Sequence, residues 1–96
     1  WRVLANDPPL LARTWEATKT TMAPGALDGL TKELVYLAVS ITNNCTYCIN
    51  THTGAARAKG MTDAQFGELL AVIGLANQLN RLVNGTQVEL DERYRT

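Results

Sequence analysis

The sequence predicts an all-α fold. Apolar residues recur at helical spacing in four stretches, and no run of any length alternates apolar and polar residues as a half-buried strand would. Helix-start signals open the first and last stretches: Asp7-Pro8-Pro9, an acidic cap followed by proline, and Thr62-Asp63-Ala64-Gln65, a capping box. Stop signals follow at Pro24-Gly25, Gly60 and Asn84-Gly85.

In chain order, Trp1 to Asp7 reads as irregular. Leu11, Trp15, Thr18 and Met22 then keep helical spacing, with Arg13, Glu16 and Lys19 on the other side. A loop through Asp28-Gly29 leads to a second helix over 30–43. Leu30, Leu34, Leu37, Ala38 and Ile41 trace one apolar face of it. Val35, Tyr36 and Val39 cover much of the rest, so this helix should be buried on most sides, with neighbours from a second subunit. The third helix is expected from Cys45 to Lys59, capped by the Asn43-Asn44 pair and closed at Gly60. The small residues Gly54, Ala55, Ala56 and Ala58 in its second half allow close packing. In the fourth segment Phe66, Leu69, Leu70 and Ile73 form one stripe, and Leu75, Leu79, Leu82 and Val83 form another, rotated from it. Gly74 sits at the change, which predicts a kink or two shorter helices. The polar tail, 86–96, reads as a flexible or partner-docking end.

Length and composition bound the rest. A chain of 96 residues makes one small domain, 1–96. Nine basic and nine acidic side chains cancel and are interspersed, so nothing favours nucleic acid or an anionic membrane surface. No apolar run is long enough to span a membrane. The chain begins at Trp1, which leaves a removed leader open. The only two cysteines are spaced C-x-x-C, a loop too short to staple a fold, and in the reducing cytoplasm, the expected location, that spacing reads as redox or metal chemistry. No second C-x-x-C or H-x-x-H accompanies it, so no metal is expected.

The chemistry concentrates in Glu33 to His52, within a core of 30–60. Cys45, Cys48 and the only histidine, His52, fall at i, i+3 and i+7. At about 100° per residue they share one helix face, within roughly 60°. Unpaired N–H groups and the positive end of the dipole favour a thiolate in the first turn, and the thiolate is the nucleophile. His52 lies one turn beyond Cys48, where an imidazole can take and return the thiol proton. Glu33 stands at the start of the most apolar helix. It is either a solvated first-turn carboxylate or a group in a dry pocket, where burial would raise its pKa and suit it to proton transfer.

At Glu33…Cys45-Thr46-Tyr47-Cys48…His52 the sequence resembles the carboxymuconolactone decarboxylase/alkylhydroperoxidase D (AhpD-like) superfamily. The resemblance extends through Leu30 to Gly60 and on through Met61 to Leu82. It implies a helical fold around an antiparallel helix pair, assembled as a homotrimer, hexamer or related oligomer. It also implies a thiol peroxidase or disulfide oxidoreductase acting on alkyl hydroperoxides. By this resemblance Cys48 is the peroxidatic cysteine and Cys45 the resolving one, which meets a lipoyl- or thioredoxin-like dithiol reductant. His52 and Glu33 form the proton relay, and no cofactor is implied. Tyr47, a supporting residue, stands where the family's best-studied peroxidases carry a second histidine, and a phenol is the poorer proton carrier near neutrality. Members that decarboxylate carboxymuconolactone generally lack the cysteine pair. Two other readings stand beside this one. The first is a decarboxylase- or isomerase-like enzyme on a small organic acid, using Glu33 and His52. The second is a non-catalytic, redox-sensing assembly module.

Overall fold

The computed structural model describes residues 1–95, and among them every regular element is helical. A short 3₁₀ turn, Leu4–Asn6, lies inside the stretch read as irregular. It precedes α1 (Pro8–Met22), α2 (Gly29–Thr42), α3 (Thr46–Ala58) and α4 (Asp63–Thr86), and a second 3₁₀ turn, Glu92–Tyr94, follows in the tail. The all-α class is the one the sequence predicts.

α2 is the hub, with α1, α3 and α4 all packed against it. α1 starts as its sequence dictates: Asp7 accepts the N–H of Leu10 at 3.2 Å, and prolines fill the first two positions. Its far end is held from α2, where Lys32 Nζ donates to the carbonyls of Thr21 at 2.8 Å and Ala23 at 2.7 Å. Those carbonyls would otherwise lack helical partners. At the start of α2 the Asp28 carboxylate accepts the Thr31 N–H at 2.7 Å, a bond that holds its pKa below the usual value. The capping box at α4 is present in both directions, Gln65 N to Thr62 Oγ1 at 3.0 Å and Thr62 N to Gln65 Oε1 at 2.9 Å.

α2 and α3 form a tight hairpin. Asn43 closes α2, Asn44 adopts a left-handed conformation (φ 57°), and Cys45 is itself the N-cap of α3. The asparagine pair therefore turns the chain between the helices instead of capping the second. Cys45 falls one position outside the first turn expected to contain it. Asparagine is among the few non-glycine residues that visit this region readily. The Cys45 N–H donates to Ser40 O at 3.0 Å, tying the turn to the end of α2. At the other end of the hairpin Lys59 is the C-cap of α3 and Gly60 follows at φ 99°, as the sequence leads one to expect.

The expectation for the fourth segment is corrected. α4 runs unbroken through Gly74 to Thr86 and is capped by Gln87 in a left-handed conformation, past the Asn84-Gly85 stop. A single glycine costs a helix about 1 kcal/mol, which a helix of 24 residues absorbs. The rotation of its apolar stripe is real, and it leaves Leu75, Leu79 and Leu82 about half exposed. This chain alone leaves α2 open on one side, with Val35 and Val39 exposed, where the sequence reading expects neighbours from a second subunit. The core centres on Leu37, Ala56 and Met61, with Leu30, Leu34, Phe66 and Leu69 packed around them.

Candidate functional site

The hairpin brings the start of α2 against the middle and end of α3, which identifies the pair as antiparallel. Glu33, the fifth residue of α2 and so just past the first turn expected to hold it, has 3% of its surface exposed. Both of its carboxylate oxygens are engaged from α3: His52 Nδ1 lies 2.6 Å from Oε2, and Lys59 Nζ donates to Oε1 at 2.7 Å. Burial alone would push the Glu33 carboxyl up. The hydrogen bonds and charges of Lys59 and His52 outweigh it and hold the pKa below the ordinary 4.5. Glu33 is therefore the buried carboxylate of the two alternatives, but its pKa moves down and not up. An ionised carboxylate only accepts hydrogen bonds, so His52 Nδ1 carries a proton, and whenever the imidazole is neutral its lone pair is on Nε2.

His52 is held on a second side. The Tyr36 ring stacks on it, with centroids 3.7 Å apart and planes inclined by 21°. One turn before His52 on α3, Cys48 is joined to Cys45 in a disulfide whose Cα atoms are 5.3 Å apart. The structure thus holds the oxidised form of the pair. Cys45 caps the helix and Cys48 is the third residue within it, so both sulfurs belong to the end where N–H groups lack helical acceptors. Tyr47 points outward, 63% exposed, while Tyr36 takes the place against the histidine.

The disulfide forms part of the wall of an apolar cleft of about 600 Å³ between the end of α1 and the open face of α2. Met22, Leu27, Val35, Tyr36 and Val39 are its large apolar lining residues, and Ser40 and Asn43 line it as well. Tyr36 therefore touches both the cleft and His52. Asn77 lies apart from the cysteines' cleft, where its amide donates to Thr42 Oγ1 at 3.1 Å and so joins α4 to the end of α2. Asn80 bonds back to its own helix at Ala76 O.

The family resemblance groups Glu33, Cys45, Cys48 and His52, and the structure carries all four on one hairpin, with Glu33 against His52 and the two cysteines joined to each other. Sequence reasoning misses Lys59 and Tyr36. A signal existed for each. Tyr36 is one turn after Glu33 on the same helix. Lys59 is a cation in the closing turn of α3, which an antiparallel hairpin must carry towards the start of α2. Among the described residues no group of three or more His, Cys, Asp or Glu side chains is arranged to hold a metal, and no helix is long and apolar enough to cross a membrane.

Comparison with known proteins places this hairpin in context. The chain is 30% identical over 91 residues, 95% of its length, to the alkyl hydroperoxide reductase AhpD of Solibacter usitatus, of which it covers 50%. It is 40% identical over 55 residues to "uncharacterized protein 4 in cox locus" of Paracoccus denitrificans, matching 57% of this chain and 50% of that protein. An alkyl hydroperoxide reductase of Mycobacterium tuberculosis is 33% identical over 61 residues, 64% of this chain and 18% of the relative. The chain therefore spans half or less of the curated relatives it matches. Among solved structures, the alkylhydroperoxidase AhpD core from Rhodospirillum rubrum superposes with a TM-score of 0.93 at 61% identity, over 98% of this chain and 70% of that one. The sequence profile of one family spans residues 8–88, across all four helices. On that match this chain belongs to the carboxymuconolactone decarboxylase family.

Proposed function

We propose that this protein is a dithiol peroxidase of the alkylhydroperoxidase kind. The observation that carries the reading is the Cys45–Cys48 disulfide one helical turn from a histidine that is hydrogen-bonded to a buried carboxylate. A disulfide beside a proton carrier is the product state of a two-cysteine redox cycle. In the reduced protein His52 Nε2 takes the Cys48 proton. The thiolate attacks one oxygen of the hydroperoxide, the O–O bond breaks, and Cys48 becomes a sulfenic acid. The departing alkoxide takes the proton back from His52 and leaves as the alcohol. The Cys45 thiol then condenses with the sulfenic acid, forming the disulfide and releasing water. An external dithiol, lipoyl- or thioredoxin-like, reopens the disulfide by exchange and is itself oxidised. Glu33 fixes the imidazole tautomer throughout and stabilises the transient imidazolium. The chemistry needs no metal or organic cofactor.

The test is peroxide consumption with a dithiol donor. Wild type should turn over, and Cys48→Ser and Cys45→Ser should each lose at least about a hundredfold. Unchanged turnover in both variants would end the dithiol reading. Activity on a small organic acid that needs His52 but not Cys48 would support the decarboxylase- or isomerase-like alternative. A stable disulfide without turnover would support the redox-sensing one.

The same reading includes self-association as a homotrimer, hexamer or related oligomer. Its support is physical. The chain exposes 7447 Å², against about 5,400 Å² for a compact monomer of this size.

A further inference from the structure

The mechanism above leaves one member of the buried cluster without a part. Lys59 reaches from the end of α3 to Glu33 Oε1, while His52 occupies Oε2. Its stem lies over Gly29, the first residue of α2, where an added Cβ would stand 3.5 Å from Lys59 Cδ. The ammonium is thus led across the hairpin to a carboxylate on the neighbouring helix. Around Glu33 and His52 the titratable or charged side chains in contact are Tyr36 from α2 and Lys59 from α3, with Cys48 one turn away on the same helix. Among the described residues, α1 and α4 place no charged side chain in an ion pair with either; Asp63, at the start of α4, is taken by Arg57.

A buried carboxylate needs a positive partner. If His52 were the only candidate, the pairing would favour the imidazolium. An imidazolium has no lone pair left for a thiol proton. A second cation on the other oxygen removes that demand. We propose that Lys59 is a positioning residue which neutralises Glu33 independently of His52, so that His52 stays available as a base near neutral pH. The proposal rests on the proton-relay reading of His52, and it explains why both carboxylate oxygens are engaged from the same helix.

The chain has a single histidine, so its ring protons can be followed by NMR without ambiguity. The experiment titrates His52 in the disulfide form, where no thiol titrates beside it, for wild type, Lys59→Gln, Lys59→Met and Lys59→Arg. Glutamine keeps a donor to Oε1 and removes the charge. Arginine keeps the charge. We expect the His52 midpoint to rise by about one pH unit in the glutamine and methionine variants, a modest shift because Lys59 is partly exposed (41%). The arginine variant should return to the wild-type midpoint. In the reduced protein the pH profile of Cys48 alkylation should move in the same direction. An unmoved midpoint in Lys59→Gln, or an arginine variant that fails to restore it, would overturn the proposal. So would folding of Lys59→Arg with loss of folding in both neutral variants, which would mark Lys59 as an anchor of the hairpin. The titration requires no peroxide, so its outcome stands apart from whether the protein turns over hydroperoxides.

Discussion

Glu33 is the residue on which the most interactions converge, and its pH behaviour follows from them. Its folded pKa lies below the ordinary 4.5. Between the folded value and the unfolded one, the unfolded chain binds more protons, so stability rises with pH. The contribution of Glu33 is complete above its unfolded pKa and is lost as pH falls through the folded one. Denaturant melts of wild type should therefore weaken on acidification below about pH 5. Glu33→Gln should be less stable by about 1–3 kcal/mol near neutrality, because one of His52 and Lys59 then faces an NH2 donor and the negative charge opposite both is gone, and should lack this part of the acid slope. Equal slopes in the two proteins would show that Glu33 is not the titrating group. The direction of this pKa was not legible in the sequence. The apolar neighbours of Glu33 left two alternatives for it, solvated or buried, and did not choose between them. The sign depends on Lys59, 26 residues away, and on a hairpin geometry that spacing alone does not specify.

At the scale of elements, the turn between α2 and α3 decides where the sulfurs sit. Asn44 holds φ 57° there. A β-branched residue at that position pays a left-handed penalty of about 1–2 kcal/mol, whereas glycine pays none. Urea melts should show Asn44→Val destabilised by about that amount and Asn44→Gly within a few tenths of a kcal/mol of wild type. Equal stability of the two variants would mean that the turn relaxes out of this conformation. The helices themselves were largely legible. Caps at Asp7 and Thr62, the Gly60 stop and the 3.6-residue apolar period all have local causes, and all appear in the structure. The errors arose where a local signal was weak against its context. Gly74 lacked the leverage to break α4. The Asn43-Asn44 pair could serve either helix, and the Ser40 carbonyl, accepting the Cys45 N–H, decides which.

The whole molecule is extended for its length. Its radius of gyration is 16.9 Å, against roughly 12–13 Å for a compact chain of this size. Few side chains are fully buried, and α4 carries Leu75, Leu79 and Leu82 about half exposed along one stretch. Half-exposed leucines at this helical spacing share one face, and that face is the one the proposed self-association would cover. Sedimentation at micromolar concentration should find a multimer, and Leu75→Glu with Leu79→Glu should shift it to monomer. A wild type that sediments as a monomer would remove self-association from the proposal. The sequence showed that the helices were apolar on more than one face. It could not show which faces this chain leaves uncovered, because that depends on how the helices dock.

The αα-hairpin from Gly29 to Lys59 has one more consequence, for how the molecule forms. Every group proposed to act lies within it, and the longest separation among its polar bonds is the 26 residues from Glu33 to Lys59. Closing so short a loop costs little chain entropy, and contacts close in sequence form early. The polar bonds of the constellation and its disulfide are therefore all made inside one stretch of chain. α1 and α4 contribute none of them, and stand to the site as its shelter and not its source.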